Sequence, residues 1–463
     1  MDSLRFQPKV LSLLIILLSA FLPCLASAAA QTASMNCISL NEDIAQIRKF
    51  ADEATFRSVL PVDTEIKFTY QSLPSFGEYL TFARQHIEQL NPKAEIKCPI
   101  DTAISDLYLK NNVSERTVVD LIQPFEITPP EAKTVVLLIH GLTDSPFMFH
   151  DLAKQFYQRG IAVRTLLLPG HGTAPSALID IDEQQWRTAA KYGVQRALKD
   201  YNSVYLGGFS TGGALLIDQL LSSQWQPEEI ARIKGLMLWS PASKAKSDYA
   251  WAARYIDYLP FYDYLSKGAD IDIAKYESFA INAGAQVHKL MLRISPNNVS
   301  FKQPPDVPVL AVVSDVDTTI NTMATLTLLK RWHLGENRQS KTVDQLMYFG
   351  NEALLRGFPE TFKMSRAHCK NKPFCQHVLN VAHTATTNAP DNVYYGVHGV
   401  YRNCQHVNED PYFFSCKTDE ENNMGETTET NRQQYPAMQR LTFNPQFDQM
   451  TILLEQFINS TSM

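Results

Sequence analysis

The sequence predicts an α/β fold, a mostly parallel sheet flanked by helices, with a cap insertion and a mainly helical N-terminal extension. Three observations carry that expectation. Strand-like and helix-like segments alternate along the middle of the 463-residue chain. TVVLLIHG (134–141) is apolar throughout, as a strand covered on both faces should be. A serine stands between two glycines where a strand gives way to a helix, in VYLGGFSTGGALL.

The elements follow in order. Residues 1–28 read as a secretory signal peptide: Arg5 and Lys9, an apolar run from Val10 to Leu22, then Ala26-Ser27-Ala28 as a cleavage site. That run is short for a membrane span. The chain is therefore expected to be secreted or periplasmic. Residues 29–115 form the N-terminal extension, with helical spacing in EDIAQIRKFADEATF and FGEYLTFARQHIEQL. It could cover a sheet edge or bind a partner, and edge covering is the simpler expectation.

The remaining residues, 116–463, are expected to form one α/β domain. TVVDLIQPFEI (117–127) reads as a strand, PPEAK as a turn and TVVLLIHG as the next strand. Helices are expected over Phe147–Arg159, Asp182–Asp200 and Thr211–Ser222, with strands AVRTLLLP, SVYLGGF and IKGLMLWSP between or after them. An insertion over 241–304 interrupts the pattern, and VPVLAVV resumes the sheet. HVLNVA (377–382) reads as the last strand, which makes residues 335–376 a second insertion. NPQFDQMTILLEQFINS closes the chain as an amphipathic helix.

Six cysteines remain after the leader: Cys37, Cys98, Cys369, Cys375, Cys404 and Cys416. An even number in an exported chain suggests disulfides. Local pairing gives 37–98, 369–375 and 404–416, one of about fifteen connectivities open to six cysteines. No C-x-x-C pair is present, so zinc is not expected, and nothing calls for a cofactor. A net charge of −6 without a basic block argues against nucleic acid.

Gly208-Phe209-Ser210-Thr211-Gly212 carries the chemistry. Glycines two before and two after the serine permit a sharp turn that pushes Ser210 out as a nucleophile. Attack on a carbonyl creates an oxyanion that needs donors already in place. The amide of Thr211 is one candidate. The amide of Leu142, in the loop after LLIHG, is the other. His140 precedes the serine at a strand end and is expected to hold that loop.

IHGLTDSPFMFHDLA, LLLPGHGTAP and LGGFSTGGAL, in this order, resemble the monoacylglycerol lipase and carboxylesterase (serine aminopeptidase-like) branch of the α/β-hydrolase superfamily. The likeness runs over about 116–333 and resumes near 376–383. It implies the α/β-hydrolase fold and hydrolysis through an acyl-enzyme. It also implies the order serine, acid, histidine. The acid should follow VPVLAVV, where Asp315 and Asp317 both stand, and either could cap the next helix. The superfamily pattern G-x-x-D-x-x-V falls on Ser314 to Ile320 and selects Asp317, with serine in place of glycine.

Six histidines follow: 333, 368, 377, 383, 398 and 406. Active sites of parallel sheets lie beyond the carboxyl ends of the strands. That favours His383, directly after HVLNVA, with His398 as the main rival. The resulting expectation is a secreted serine esterase, lipase or lysophospholipase using Ser210, Asp317 and His383. The cap stretch DYAWAARYIDYLPFYDY is dense in aromatic residues that could line an acyl pocket, face a lipid interface or pack the cap's own core. The partner is thus a small-molecule or lipid ester, with transient membrane contact through the cap open. Two alternatives stand: a peptidase, for which Asp248, Asp257 and Asp263 could hold a substrate amine, and a binding protein without catalysis.

Overall fold

The computed structural model describes residues 35–109, 112–222, 225–252, 262–298, 301–339 and 341–462. The leader read over 1–28 lies outside them, as do Tyr255, Asp257, Tyr258 and Phe261 of the cap.

Eight strands form the central sheet. They are β1 (Glu126–Ile127), β2 (Thr134–Ile139), β3 (Ala162–Leu166), β4 (Ser203–Phe209) and β5 (Ile233–Trp239). After the cap strands β6 (Tyr264–Ser266) and β7 (Phe279–Ala280) come β8 (Val309–Ser314), β9 (Gln345–Phe349) and β10 (Lys363–Arg366). Their order across the sheet is β1-β3-β2-β4-β5-β8-β9-β10. Every neighbouring pair is parallel except β1 with β3. The inner strands are buried along nearly their whole length, which explains their largely apolar sequence. The chain thus has the α/β sheet with flanking helices that its alternation predicts.

The main helices are α1 (Ile44–Glu53), α2 (Phe76–Leu90), α3 (Val118–Ile122), α4 (His150–Gln158) and α5 (Glu183–Asp200). They continue as α6 (Thr211–Ser222), α7 (Ile281–Ile294), α8 (Thr322–His333), α9 (Asp410–Thr418) and α10 (Phe447–Thr461). Two apolar clusters fill the sheet's two faces. One joins the α5, α6 and cap side to the N-terminal extension. The other packs α4 and α10 on the opposite face.

Three sequence expectations are corrected. Residues 117–127 are not one strand. Thr117 and Asp120 form a capping box, in which the Thr117 amide and hydroxyl both donate to the Asp120 carboxylate, and α3 follows, leaving two residues to β1. All of α3 is buried, so its apolar run carries no period that separates helix from strand. HVLNVA is not a strand either: Pro373–His377 is a 3-10 turn and Val378 makes a single bridge to Met424. The last strands are β9 and β10, inside the stretch read as an insertion over 335–376. β9 is fully buried, and β10 closes the edge with Lys363 and Arg366, charges that discourage pairing with another sheet.

The N-terminal extension packs over a face of the sheet, and its short helix Ser105–Tyr108 lies against the edge strand β1. Tyr79 sits under β3's exit, its hydroxyl accepting from the Leu167 amide, and Phe68 packs on Tyr79 and on Tyr192 of α5. It also grips the cap. The buried Lys93 ammonium donates to the Asp270 and Asp272 carbonyls, and Arg57 donates to the Gly268 carbonyl and the Ser278 hydroxyl. Disulfides join Cys37 to Cys98, Cys369 to Cys375 and Cys404 to Cys416. Among the described residues, no helix is long and apolar enough to cross a membrane.

Candidate active site

Ser210 sits between β4 and α6 with φ at 48°. A non-glycine residue pays about 1–3 kcal/mol for that left-handed backbone. The surrounding chain enforces it: Ser210 donates its amide to the Trp239 carbonyl, and its own carbonyl accepts from Ala214 and Ala242. The flanking glycines are needed for close approach. A Cβ on Gly212 would collide with the Ile139 carbonyl, and one on Gly208 with the backbone at Gly212 and Gly213.

The structure brings Ser210, His383 and Asp317 into one hydrogen-bonded chain. The Ser210 hydroxyl meets His383 Nε2 at 3.0 Å, and His383 Nδ1 meets Asp317 Oδ2 at 2.6 Å. All three residues are buried. The other oxygen of Asp317 accepts from the amides of Thr319 at 2.8 Å and Ile320 at 2.7 Å, which locks the carboxylate's aim. Asp315 is engaged elsewhere: its carboxylate accepts from the Asn351 amide after β9. Ser314, where the superfamily pattern has glycine, is buried and donates to the Val381 carbonyl at 2.6 Å. It ties the acid's strand to the histidine's loop.

The other histidines fall away from Ser210. His398 is exposed and does not line the cleft. His333 is buried against Asp344 and Thr361, and His368 is exposed. His377 contacts Gln376. His406 lines a second cavity.

Leu142 and Thr211 both line the cleft beside Ser210. Neither backbone amide meets an acceptor among the described residues. Two histidines fix the loop that carries Leu142. His140 accepts the Leu168 amide on Nε2 and donates from Nδ1 to the Gly141 carbonyl. His171 accepts the Thr143 amide and donates to the Pro169 carbonyl. Burial drives both pKa values down, that of His171 to about 4, so both rings stay neutral and keep this donor–acceptor pattern.

One pair escaped the sequence reading. Glu426, fully buried after β11 (Met424–Gly425), accepts the backbone amide of His383 at 2.9 Å. Arg440, at the end of β12 (Gln439–Arg440), holds that carboxylate in a fork at 2.8 and 3.0 Å and also donates to the Thr319 hydroxyl. Burial alone would raise the Glu426 pKa, but Arg440 and the amides of His383 and Thr427 outweigh it and bring it down to about 2. Glu426 lies 43 residues past the histidine and has no motif of its own, so only the fold could reveal it.

The cleft encloses about 570 Å³. Leu265, Phe279, Ile281, Val287 and Met291 of the cap give it an apolar wall opposite Ser210. Of the cap aromatics described, Tyr249 borders the cleft and is 78% exposed, Tyr262 is exposed, and Tyr264 is half-buried. Asp248 and Asp263 are exposed and do not line the cleft.

A parallel sheet with a serine on a strained strand-to-helix turn, joined to an aspartate and then a histidine further along the chain, has the α/β-hydrolase fold. Residues 130–263 match the family model described as serine aminopeptidase, S33. The fold is also similar to that of solved lipases and esterases. One is described with LipS and LipT, two metagenome-derived lipolytic enzymes: 19% identity, TM-score 0.40, covering 50% of this chain and 88% of that one. Another is the monoacylglycerol lipase of Paleococcus ferrophilus: 17% identity, TM-score 0.37, covering 49% and 88%. A third is a soluble variant of the Saccharomyces cerevisiae monoglyceride lipase in complex with a substrate analog: 14% identity, TM-score 0.39, covering 53% and 82%. No curated protein matches the chain.

Proposed function

We propose that this protein is an exported serine hydrolase of carboxylic esters, with Ser210 as nucleophile, His383 as base and Asp317 as the acid that orients it. The observation that carries the reading is the chain of hydrogen bonds from Ser210 through His383 to Asp317, opening on an apolar cleft.

The Ser210 oxygen attacks the ester carbonyl carbon while His383 Nε2 takes the hydroxyl proton. The carbonyl oxygen becomes an oxyanion held by the amides of Leu142 and Thr211. Collapse breaks the bond to the alcohol, which leaves with the proton from His383. A water then gives its proton to His383 and attacks the acyl-serine, releasing the carboxylic acid and restoring Ser210. Asp317 stabilises the imidazolium in both halves of the cycle.

Residues 116–463 form the hydrolase unit in this reading, with the cap at 241–304 covering the cleft. The cap's apolar wall favours an acyl chain. The exposed Tyr249, Tyr262 and Leu265 support brief contact with a lipid surface. Three disulfides and the leader-like residues 1–28 support an oxidising compartment outside the cytoplasm. A peptidase reading has less support, because Asp248 and Asp263 stand off the cleft.

The test is a burst of p-nitrophenol from an acyl ester, abolished by Ser210→Ala. p-Nitrophenyl esters of several chain lengths are run beside aminoacyl anilides. Absence of turnover on every ester sinks the proposal. Faster cleavage of the anilides replaces it with the peptidase.

A further inference from the structure

The cleft beside Ser210 has a neighbour. A second cavity, of about 670 Å³, lies against the same wall: Ser266, Glu277, Asn403, Gln405 and Arg440 line both. Its volume is that of a small-molecule site in its own right. It is built from parts outside the sheet: α1, the cap stretch 266–277, and the stretch 403–417 closed by the Cys404–Cys416 disulfide. An ion pair from Arg48 to Asp410 ties α1 to α9 across it.

The two cavities differ in chemistry. The cleft's cap wall is apolar, whereas the second cavity is lined by Arg48, Lys267, Lys417 and Arg440 facing Asp52 and Glu277. Carboxylates balance these cations in number: Arg440 is paired with Glu426 and Arg48 with Asp410, Lys417 donates to the Arg402 carbonyl, and Asp52 and Glu277 share the lining with Lys267. A balanced surface does not gather ions of one sign. It offers closely spaced donors and acceptors instead, which is what a hydroxyl-rich neutral group requires.

Asn403 makes the case specific. It is 7% exposed, and its side-chain amide makes no hydrogen bond to any described residue. Neither amide atom is sealed from open space, so the group faces the cavities it lines. An amide that opens on the cavity without a protein partner is free to bond a polar group that enters there, offering both a donor and an acceptor.

We infer that the second cavity receives the alcohol half of the ester, and that this half is a sugar-sized polyol whose hydroxyls Asn403 meets at the wall between the cavities. The inference rests on the ester-hydrolase reading: the acyl chain takes the apolar cleft, the scissile carbonyl stands at Ser210, and the polyol crosses the shared wall.

The full mature chain is assayed on four octanoyl esters: 6-O-octanoyl glucose, 1-octanoyl glycerol, ethyl octanoate and 1-octanoyl lysophosphatidylglycerol. The glucose ester should exceed the ethyl ester at least tenfold in kcat/KM, chiefly through KM. Asn403→Leu should bring that ratio down toward one, and Asn403→Gln should retain part of it. Should Asn403→Leu fail to fold, Gln405→Leu, at an exposed residue of the same wall, should lower the ratio in the same direction. Equal kcat/KM across glucose, glycerol and ethyl esters overturns the inference while leaving the esterase intact. So does a preference for the phosphate-bearing ester, or a ratio that survives both leucine variants. Inactivity on all four esters and on p-nitrophenyl esters overturns the ester reading and this inference together.

Discussion

The Glu426 carboxylate accepts the backbone amide of His383 at 2.9 Å, and Arg440 holds that carboxylate from the other side. His383 is thus gripped twice: its ring by Asp317 and Ser210, its backbone by a buried ion pair. Glu426→Gln should lower kcat by roughly tenfold with little change in KM, because it loosens the loop and leaves Arg440 without its charge partner. The folded pKa of Glu426 falls from its usual 4.5 to about 2. A depressed carboxylate contributes stability that is fully present above the unfolded pKa and is lost as the pH falls through the folded one. That contribution is on the order of 3 kcal/mol at neutral pH. The Tm gap between native protein and Glu426→Gln should therefore be wide at pH 7 and shrink steadily between pH 4.5 and 2. A gap that is flat with pH would show that the charge of Glu426 is not what stabilises the loop.

His383→Ala should cut ester turnover by at least about 10⁴-fold, as loss of a member of such a triad does. His398→Ala should stay within about twofold of native, since that ring is exposed and off the cleft. Steady-state kinetics on a p-nitrophenyl ester decides between them, and the reverse ranking would move the base fifteen residues along the chain.

The two candidate acids separate in the same way. Asp317→Asn should lower kcat by about 10⁴-fold, because an amide cannot hold the imidazolium or fix its tautomer. Asp315→Asn alters only a contact to the Asn351 amide and should act on Tm more than on rate.

How much of this was legible beforehand depended on what each contact needs. Ser210 was readable because a strained turn demands glycines at fixed offsets and a strand and helix on either side. Strands β3, with Arg164 and Thr165, and β5, with Lys234, were readable from their alternation with helices, whereas β2 and β4 were readable because burial on both faces leaves an almost unbroken apolar run. The same rule failed at α3, where a helix buried all round looks like a strand. It failed again at HVLNVA, whose apolar residues pack in a loop while β9, in the supposed insertion, supplies the next strand. In the sequence His383 is favoured partly by a strand that the fold does not contain. It reaches Ser210 because its loop is anchored by Ser314 to the Val381 carbonyl and by Glu426 to its own amide. Neither anchor has a spacing that a sequence reader could use.

The disulfides should differ in worth because they close loops of different length. Cys37 and Cys98 are 61 residues apart, against 6 for Cys369–Cys375 and 12 for Cys404–Cys416. In the chain-entropy account a closed loop of the first size removes about 4 kcal/mol of unfolded-state freedom, and the short ones about 2–3 kcal/mol. Cys37→Ser with Cys98→Ser should therefore lower the Tm most, measured by calorimetry at neutral pH. It should also loosen the grip of Lys93 and Arg57 on the cap, so KM for long acyl esters should rise along with it. Cys404→Ser with Cys416→Ser should cost less stability, and its effect should fall on the stretch that lines the second cavity. A larger Tm loss from either short loop than from Cys37–Cys98 would mean that native packing, and not chain entropy, sets their worth.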